Sequence, residues 1–442
     1  MTQPFLRDCE GFYRRDLLKI GAAGLLGLNL ADVLRLEAQT STTNRSRQRA
    51  RGVILVWLGG GPATIDMWDL KPDAPTTIRG EFRPIATRAA GVQICEHLPR
   101  VAAVMDKCAI VRSVAHTIPD HGRATNWMMT GNKPTPAVQY PSLGSLTARL
   151  LTPEPGVPPY VTFGRQGAGN AGYLGTAYNP FEVEGNPAGG QRGPGNAPLR
   201  VRGVSLPTGF TLEDLENRTR LRAEIDDAFR SLDTSDTVSG LDRFQQQALD
   251  ILRDNRTERA FNLNSEPQSL RTRYGTDNFG QAALIARRLI EAGVRFVTIT
   301  LGGWDTHGQN FNALRTRLLP QLDRTLGALI EDMADKRLLQ NTIVYCAGEF
   351  NRTPTINRNA GRDHWARSMA VLLAGGGIRA GYAHGTTDPR GMAPANEPCT
   401  PDDVAATIFH CLGIDGYHEL MTASGRPMNL FREGRVIQRL VG

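Results

Sequence analysis

The sequence predicts an α/β fold in which a mostly parallel central sheet carries helices on both faces. Three observations predict it. Short apolar runs of β-prone residues alternate along the chain with segments of helical periodicity, as an open parallel sheet requires. The first run, Gly52-Val53-Ile54-Leu55-Val56-Trp57-Leu58, is continuous rather than alternating, the pattern of a strand buried on both faces. Polar, glycine-flanked clusters stand at the ends of three such runs, where open α/β sheets bind their ligands.

The elements follow in order. The first strand stops at Gly59-Gly60-Gly61-Pro62. Leu98 to Lys107 reads as a helix, Ala109 to Val114 as a second strand, Arg123 to Met129 as a short helix and Pro159 to Phe163 as a third strand. From Gly164 to Gly203 the chain is dense in Gly, Pro and Asn, the composition of a long loop. Leu212 to Arg256 reads as two polar helices broken at Asp236-Thr237-Val238-Ser239-Gly240, so 164–265 is expected to be a loop-rich helical insertion that covers one side of the site and selects substrate. Downstream, Phe279 to Ala292 is helical and Val294 to Leu301 a strand. Leu314, Leu318, Leu322, Leu326, Leu329 and Met333 recur on one face of a long helix. Thr342 to Ala347 and Met369 to Ala374 are strands, and Pro401 to Leu412 is a helix with Thr400 as its N-cap.

The chain has 442 residues, 40% of them hydrophobic and 21% charged, enough to bury a sizeable core in one large domain or two modest ones. Of the formal charge of +7, residues 1–51 hold nine Lys/Arg against five Asp/Glu, leaving a body at +3. That near-neutral balance gives no ground for a nucleic-acid partner. Residues 1–38 have the character of an export leader: Arg14-Arg15 precede the apolar, Gly-rich run Ile20 to Leu28, too short for a comfortable membrane span, which resembles a twin-arginine signal. Residues 39–51 form a basic linker, and 52–442 the α/β domain, expected in the periplasm or cell envelope without a stable span. The twin-arginine export machinery is the partner this implies. Cys95, Cys108, Cys346, Cys399 and Cys411 follow the leader, an odd number without C-x-x-C spacing, so neither a disulfide scaffold nor a thiolate zinc site is indicated; one or two bridges stay open.

The polar clusters carry the chemistry. They are Trp304-Asp305-Thr306-His307, Gly348-Glu349-Phe350-Asn351-Arg352 and Gly361-Arg362-Asp363-His364-Trp365. Carboxylates and imidazoles gathered on rigid strand ends are what a divalent ion requires. A fourth cluster runs from Arg112-Ser113-Val114-Ala115-His116 into Asp120-His121-Gly122-Arg123, where a helix start presents N–H groups to an anionic ester. Arg112, Arg352 and Arg362 border these motifs, and guanidinium groups can hold phosphate or sulfate in a fork.

At this point the motifs resemble the alkaline phosphatase and sulfatase superfamily. In it the nucleophile opens a helix that ends in Thr-Gly nine and ten residues later, and Thr130-Gly131 stand at that distance from His121. The resemblance therefore implies that His121 occupies the nucleophile position, Asp305 and His307 the first metal motif, Glu349 the next, and His364 the later metal-binding histidine. With the leader and the Gly-Gly-Gly-Pro loop, nearly the whole chain resembles an exported, sulfatase-related bacterial family catalogued as domain of unknown function 1501. Two departures stand out. Gly59-Gly60-Gly61 replace the superfamily's first-strand Asp, leaving Asp66 as the nearest candidate ligand, and His121 replaces Ser, Thr or Cys.

The expectation is an exported hydrolase of phosphate or sulfate esters, acting on a small molecule or glycan. One or two ions of Zn, Mn or Ca would be held by Asp305, His307, Glu349, Asp363, His364, His121 and Asp66, with His121, Arg112 and Arg352 catalytic. His121 can attack phosphorus or bind the ion and leave water as nucleophile. The rival readings are a non-catalytic exported protein that binds metal or glycan on the same fold, and group transfer to an envelope component.

Overall fold

The computed structural model describes residues 49–164, 169–184, 200–201, 250, 254–422 and 424–442. The leader expected at 1–38, and most of the insertion expected at 164–265, lie outside the described residues.

The elements that build the domain are strand β1 (Gly52–Gly59), helix α1 (Pro99–Ala103), β2 (Cys108–Val114), α2 (His121–Thr130), α3 (Leu143–Leu150), β3 (Tyr160–Phe163), β4 (Phe181–Glu184), β5 (Arg200–Val201), α4 (Asn278–Ala292), β6 (Phe296–Gly302), α5 (Leu319–Asp335), β7 (Thr342–Ala347), β8 (Met369–Ala374), β9 (Tyr382–His384) and α6 (Pro401–Cys411). The nine strands form one sheet in the order β9-β2-β8-β7-β1-β6-β3-β4-β5. Every pairing is parallel except those of β8 with β7 and β2, and of β5 with β4. The mostly parallel sheet read from the sequence is therefore the one observed.

Alternation along β1 explains why helices cover both faces. Ile54, Val56 and Leu58 join one core with Leu289 of α4 and Leu322, Leu326 and Leu329 of α5. Val53, Leu55 and Trp57 join the opposite core with Leu143 and Leu146 of α3 and Ile408 and Phe409 of α6. Each such side chain is essentially buried, and burial of a Val, Leu or Ile contributes roughly 1.5–3 kcal/mol. Side chains also close the helix ends. Asp277 accepts the Gly280 N–H at the start of α4, and Thr400 and Asp403 cap α6 reciprocally.

The long helix expected around Leu314 to Met333 has a break. Pro320 has no N–H to return to the preceding turn, and the chain before it widens into a π turn over Leu314–Leu318, with the Leu319 N–H on the Leu314 carbonyl. None of Cys95, Cys108, Cys346, Cys399 and Cys411 is bridged, and all are buried. No helix among the described residues is long and apolar enough to cross a membrane.

Two interior contacts hold the site's scaffold. The fully buried Arg362 pairs with Asp66 through Nε and Nη2 at 2.8 and 2.7 Å, and Asn310 Nδ2 donates to the same carboxylate at 2.8 Å. Trp127 of α2 donates its Nε1–H to Asp402 of α6, pinning the helix that begins at His121. Burial pushes the Asp402 carboxyl up to about 6, although the Trp127 hydrogen bond pulls the other way. A carboxyl raised in the folded protein stabilises it fully below about pH 4, and that contribution is lost as pH rises through about 6. Asp402→Asn keeps an acceptor for Trp127. It is expected to remove a fall in stability on the order of 2 kcal/mol between about pH 4 and 7, measured as Tm against pH; a profile parallel to the parent's refutes the assignment.

Candidate metal centre

Five loops meet above the carboxyl edge of the sheet. Those after β1, β2, β6 and β7 arrive there because their strands are parallel; the loop before β8 arrives because β8 is antiparallel. They bring His121, Asp305, His307 and His364 together. Asp305 Oδ1 lies 3.1 Å from His307 Nε2, 3.4 Å from His364 Nε2 and 3.5 Å from His121 Nε2. The His307 and His364 Nε2 atoms are 3.0 Å apart.

The other ring nitrogens determine what these atoms are. His121 Nδ1 lies 2.7 Å from Glu349 Oε1, His307 Nδ1 2.7 Å from Asp363 Oδ1, and His364 Nδ1 2.9 Å from the Pro119 carbonyl. Ionised carboxylates and carbonyls only accept, so each Nδ1 carries the hydrogen and each ring turns its Nε2 inward. Three imidazole nitrogens thus crowd one carboxylate oxygen, Asp305 Oδ1 lying within 3.5 Å of all three. That arrangement calls for a cation. The buried Nε2 of His121 has no hydrogen-bond partner, and ligand atoms of His121, Asp305 and His364 all lie within 4.8 Å of one another. Metal-bound histidines typically have this outer layer, in which the second nitrogen donates to a carboxylate or carbonyl. Three imidazoles and one carboxylate suit zinc or a similar borderline ion, and Mn less well; Ca, which takes six or more oxygens, does not match.

The backbone around Asp305 is tightly specified. Gly60 has φ +116°, and a Cβ there would lie 2.5 Å from the Asp305 nitrogen, so only glycine permits the approach. Its N–H donates to Glu349 Oε1 at 2.9 Å. Phe350, fully buried, forms an apolar wall with ring centroids 4.9 Å from His121 and 4.6 Å from His364. Asn357 Nδ2 donates to the His307 carbonyl at 3.0 Å and to Asp363 at 3.2 Å. Burial alone would raise the Asp305 carboxyl, but the Arg352 guanidinium, with His307 and His121, reverses this and holds it below the usual carboxylate range. The hydrogen bond from His307 likewise lowers Asp363.

Several expected roles change. Glu349 and Asp363 stand one layer back, on the Nδ1 atoms, instead of among the inward-facing donors. Asp66 is not among them at all, because Arg362 and Asn310 occupy its carboxylate inside the fold. Arg112 donates to the Trp68 and Gln93 carbonyls and lies 3.8 Å from Asp69, so it is not placed as an ester clamp. Arg352 is fully buried and spends its donors on the Gly60 and Gly61 carbonyls, the Arg362 carbonyl and Asp305; it positions Asp305 instead of gripping a substrate. His116 donates through Nε2 to the Glu349 carbonyl at 2.8 Å and accepts the Ile118 N–H, a structural role. The sequence reading missed Pro119, Asn357 and the Gly60 N–H. Two act through backbone atoms, which carry no residue-type signal, and Asn357 stands in an ordinary polar loop.

A family profile described as "Protein of unknown function (DUF1501)" matches residues 50–441. The chain belongs to this family. No protein of curated function matches it in sequence. Among solved structures, this DUF1501 chain is similar to Ps i-CgsB crystallised with k-i-k-neocarrahexaose, at 10% identity over 83% of this chain and 73% of that one with a TM-score of 0.39. It is also similar to the lipoteichoic acid synthase LtaP from Listeria monocytogenes, at 10% identity over 83% and 73% with a TM-score of 0.35. The PsFucS1 sulfatase from Pseudoalteromonas sp. gives 13% identity over 91% and 77% with a TM-score of 0.36.

The geometry of the DUF1501 centre makes a direct prediction. Protein folded with zinc should carry about one ion per chain, and His307→Ala/His364→Ala should carry almost none, read by elemental mass spectrometry. Full metal content in the double variant would remove these residues from the site.

Proposed function

We propose that this chain is an exported, metal-dependent hydrolase of phosphate or sulfate esters, with His121, Asp305, His307 and His364 holding one divalent ion. The observation that carries the reading is the inward turn of three Nε2 atoms onto the Asp305 carboxylate, each ring fixed from behind through Nδ1. When bound, such an ion supplies Lewis acidity at an ester oxygen. The chain's own residues do the rest of the preparation. Glu349, Asp363 and the Pro119 carbonyl fix the ring orientations, Arg352 and the Gly60–Gly61 carbonyls fix Asp305, and Phe350 excludes water along one side. His121 Nε2 lies 3.5 Å from Asp305 Oδ1 within the donor group, so in this reading His121 acts as a holder and the attacking group is water.

One observation favours a second reading, an exported protein that binds a sulfated or phosphorylated glycan without turning it over. Both arginines expected to clamp an ester, Arg112 and Arg352, are engaged inside the fold. A chromogenic screen of phosphate and sulfate esters on zinc- and manganese-loaded protein separates the two. Turnover that falls at least a hundredfold on His121→Ala, with the ion removed or displaced, is the expected outcome for the enzyme, from the usual cost of losing a site group. Bound ion with no turnover of any ester leaves the binder.

Export rests on Arg14-Arg15 ahead of the apolar run at Ile20 to Leu28, and it makes the twin-arginine machinery the partner. Residues 1–51 fused to a folded reporter should carry it to the periplasm, and Arg14→Lys/Arg15→Lys should retain it in the cytoplasm. Export of the fusion with both arginines replaced would sink this part of the reading.

A further inference from the structure

The charges around the centre select among esters. The three rings are backed or faced by the carboxylates of Asp305, Glu349 and Asp363, and by one guanidinium, Arg352, which leaves two negative charges in excess. The nearby Asp66 and Arg362 neutralise each other. Asp120 and Arg123, exposed at the start of α2, carry opposite signs. One divalent ion therefore brings the centre to neutrality and leaves no positive excess. Among the described residues no other guanidinium or ammonium pairs with these carboxylates, and the Arg352 donors go to Gly60, Gly61, Arg362 and Asp305 from a fully buried position.

We infer that the centre takes esters carrying a single negative charge, sulfate monoesters or phosphodiesters, and discriminates against the doubly charged phosphate monoesters. This rests on the hydrolase reading and narrows its substrate. A dianion would leave the centre two charges negative, next to the buried Glu349, whose Oε2 already lacks a hydrogen-bond partner. A monoanion leaves it one charge negative. Among the described residues the second charge meets no further cation paired at the centre, and in a partly buried site an unbalanced unit charge costs enough to decide selectivity.

Binding of two anions of similar shape to the zinc-loaded full chain tests this by calorimetry. Benzenesulfonate carries one charge; phenylphosphonate in alkaline buffer carries two. Benzenesulfonate is expected to bind at least about tenfold more tightly. Glu349→Gln keeps an acceptor for the Gly60 N–H and His121 Nδ1–H while removing one negative charge. With its zinc content confirmed, it should shift the affinity ratio toward phenylphosphonate by about threefold or more. Asp363→Asn should shift it the same way by less, because that side chain is 54% exposed, and it carries the test if the buried variant fails to fold. Phenylphosphonate binding as tightly as benzenesulfonate, or a ratio that neither variant moves, overturns the inference and leaves the hydrolase reading standing. Failure of both anions to bind the zinc-loaded protein, together with no ester turnover, overturns the inference by removing the reading beneath it.

Discussion

The hydrogen bonds on the far side of the three imidazoles constrain everything else in the centre. A histidine whose Nδ1 faces solvent can exchange tautomers and rotate; one whose Nδ1–H is held by a carboxylate or carbonyl presents a lone pair at Nε2 in one direction. Here all three rings are held in this way, and all three Nε2 atoms lie within 3.5 Å of the same carboxylate oxygen. Without a cation that convergence is repulsive. The surrounding fold must therefore be rigid enough to maintain it, which is the demand met by loops tied to strand ends, by the buried Asp66–Arg362 pair and by the Asp402–Trp127 contact.

The sheet meets that demand through one reversed strand. Parallel strands deliver the loops after β1, β2, β6 and β7 to one edge, but a further parallel strand in the place of β8 would deliver its preceding loop to the opposite edge. Because β8 runs against β7 and β2, the segment before it reaches the site carrying Asp363 and His364. The local β-ribbon that pairs Arg352 with His364 then locks the two loops together. Arg352 and His364 consequently approach Asp305 from the same short ribbon, one through its guanidinium and the other through its imidazole Nε2.

Much of this was legible in the sequence, for identifiable reasons. Buried strands such as β1, β7 and β8 are unbroken apolar runs, and polar residues at their ends stand out against them. The direction of β8 was not legible, because an apolar run reads the same either way. Membership of the centre was readable from residue type at strand ends; rank within it was not. Whether Glu349 meets an ion or the back of a ring depends on a side-chain reach that spacing does not encode. Asp66 misled for a different reason: its partner Arg362 lies 296 residues away, and a carboxylate near a first strand looks the same in sequence whether free or paired. Breaking such a buried pair from one side costs about 3–5 kcal/mol, so its role in the fold excludes a second use as a ligand.

The same pairings bear on how many ions the centre needs. The resemblance that suggested a second ion relied on an acidic residue at the end of the first strand, and here that position is glycine. The Gly60 and Gly61 carbonyls accept instead from Arg352, whose charge also meets Asp305. A guanidinium cannot leave, does not exchange and stays charged at any working pH. It supplies permanently, from within the chain, positive charge that a second ion would otherwise have to bring. A second divalent ion added to this arrangement would stand beside a buried cation, with Glu349 Oε1 and Asp363 Oδ1 already holding imidazoles. One fixed cation is therefore built into the centre by the chain itself.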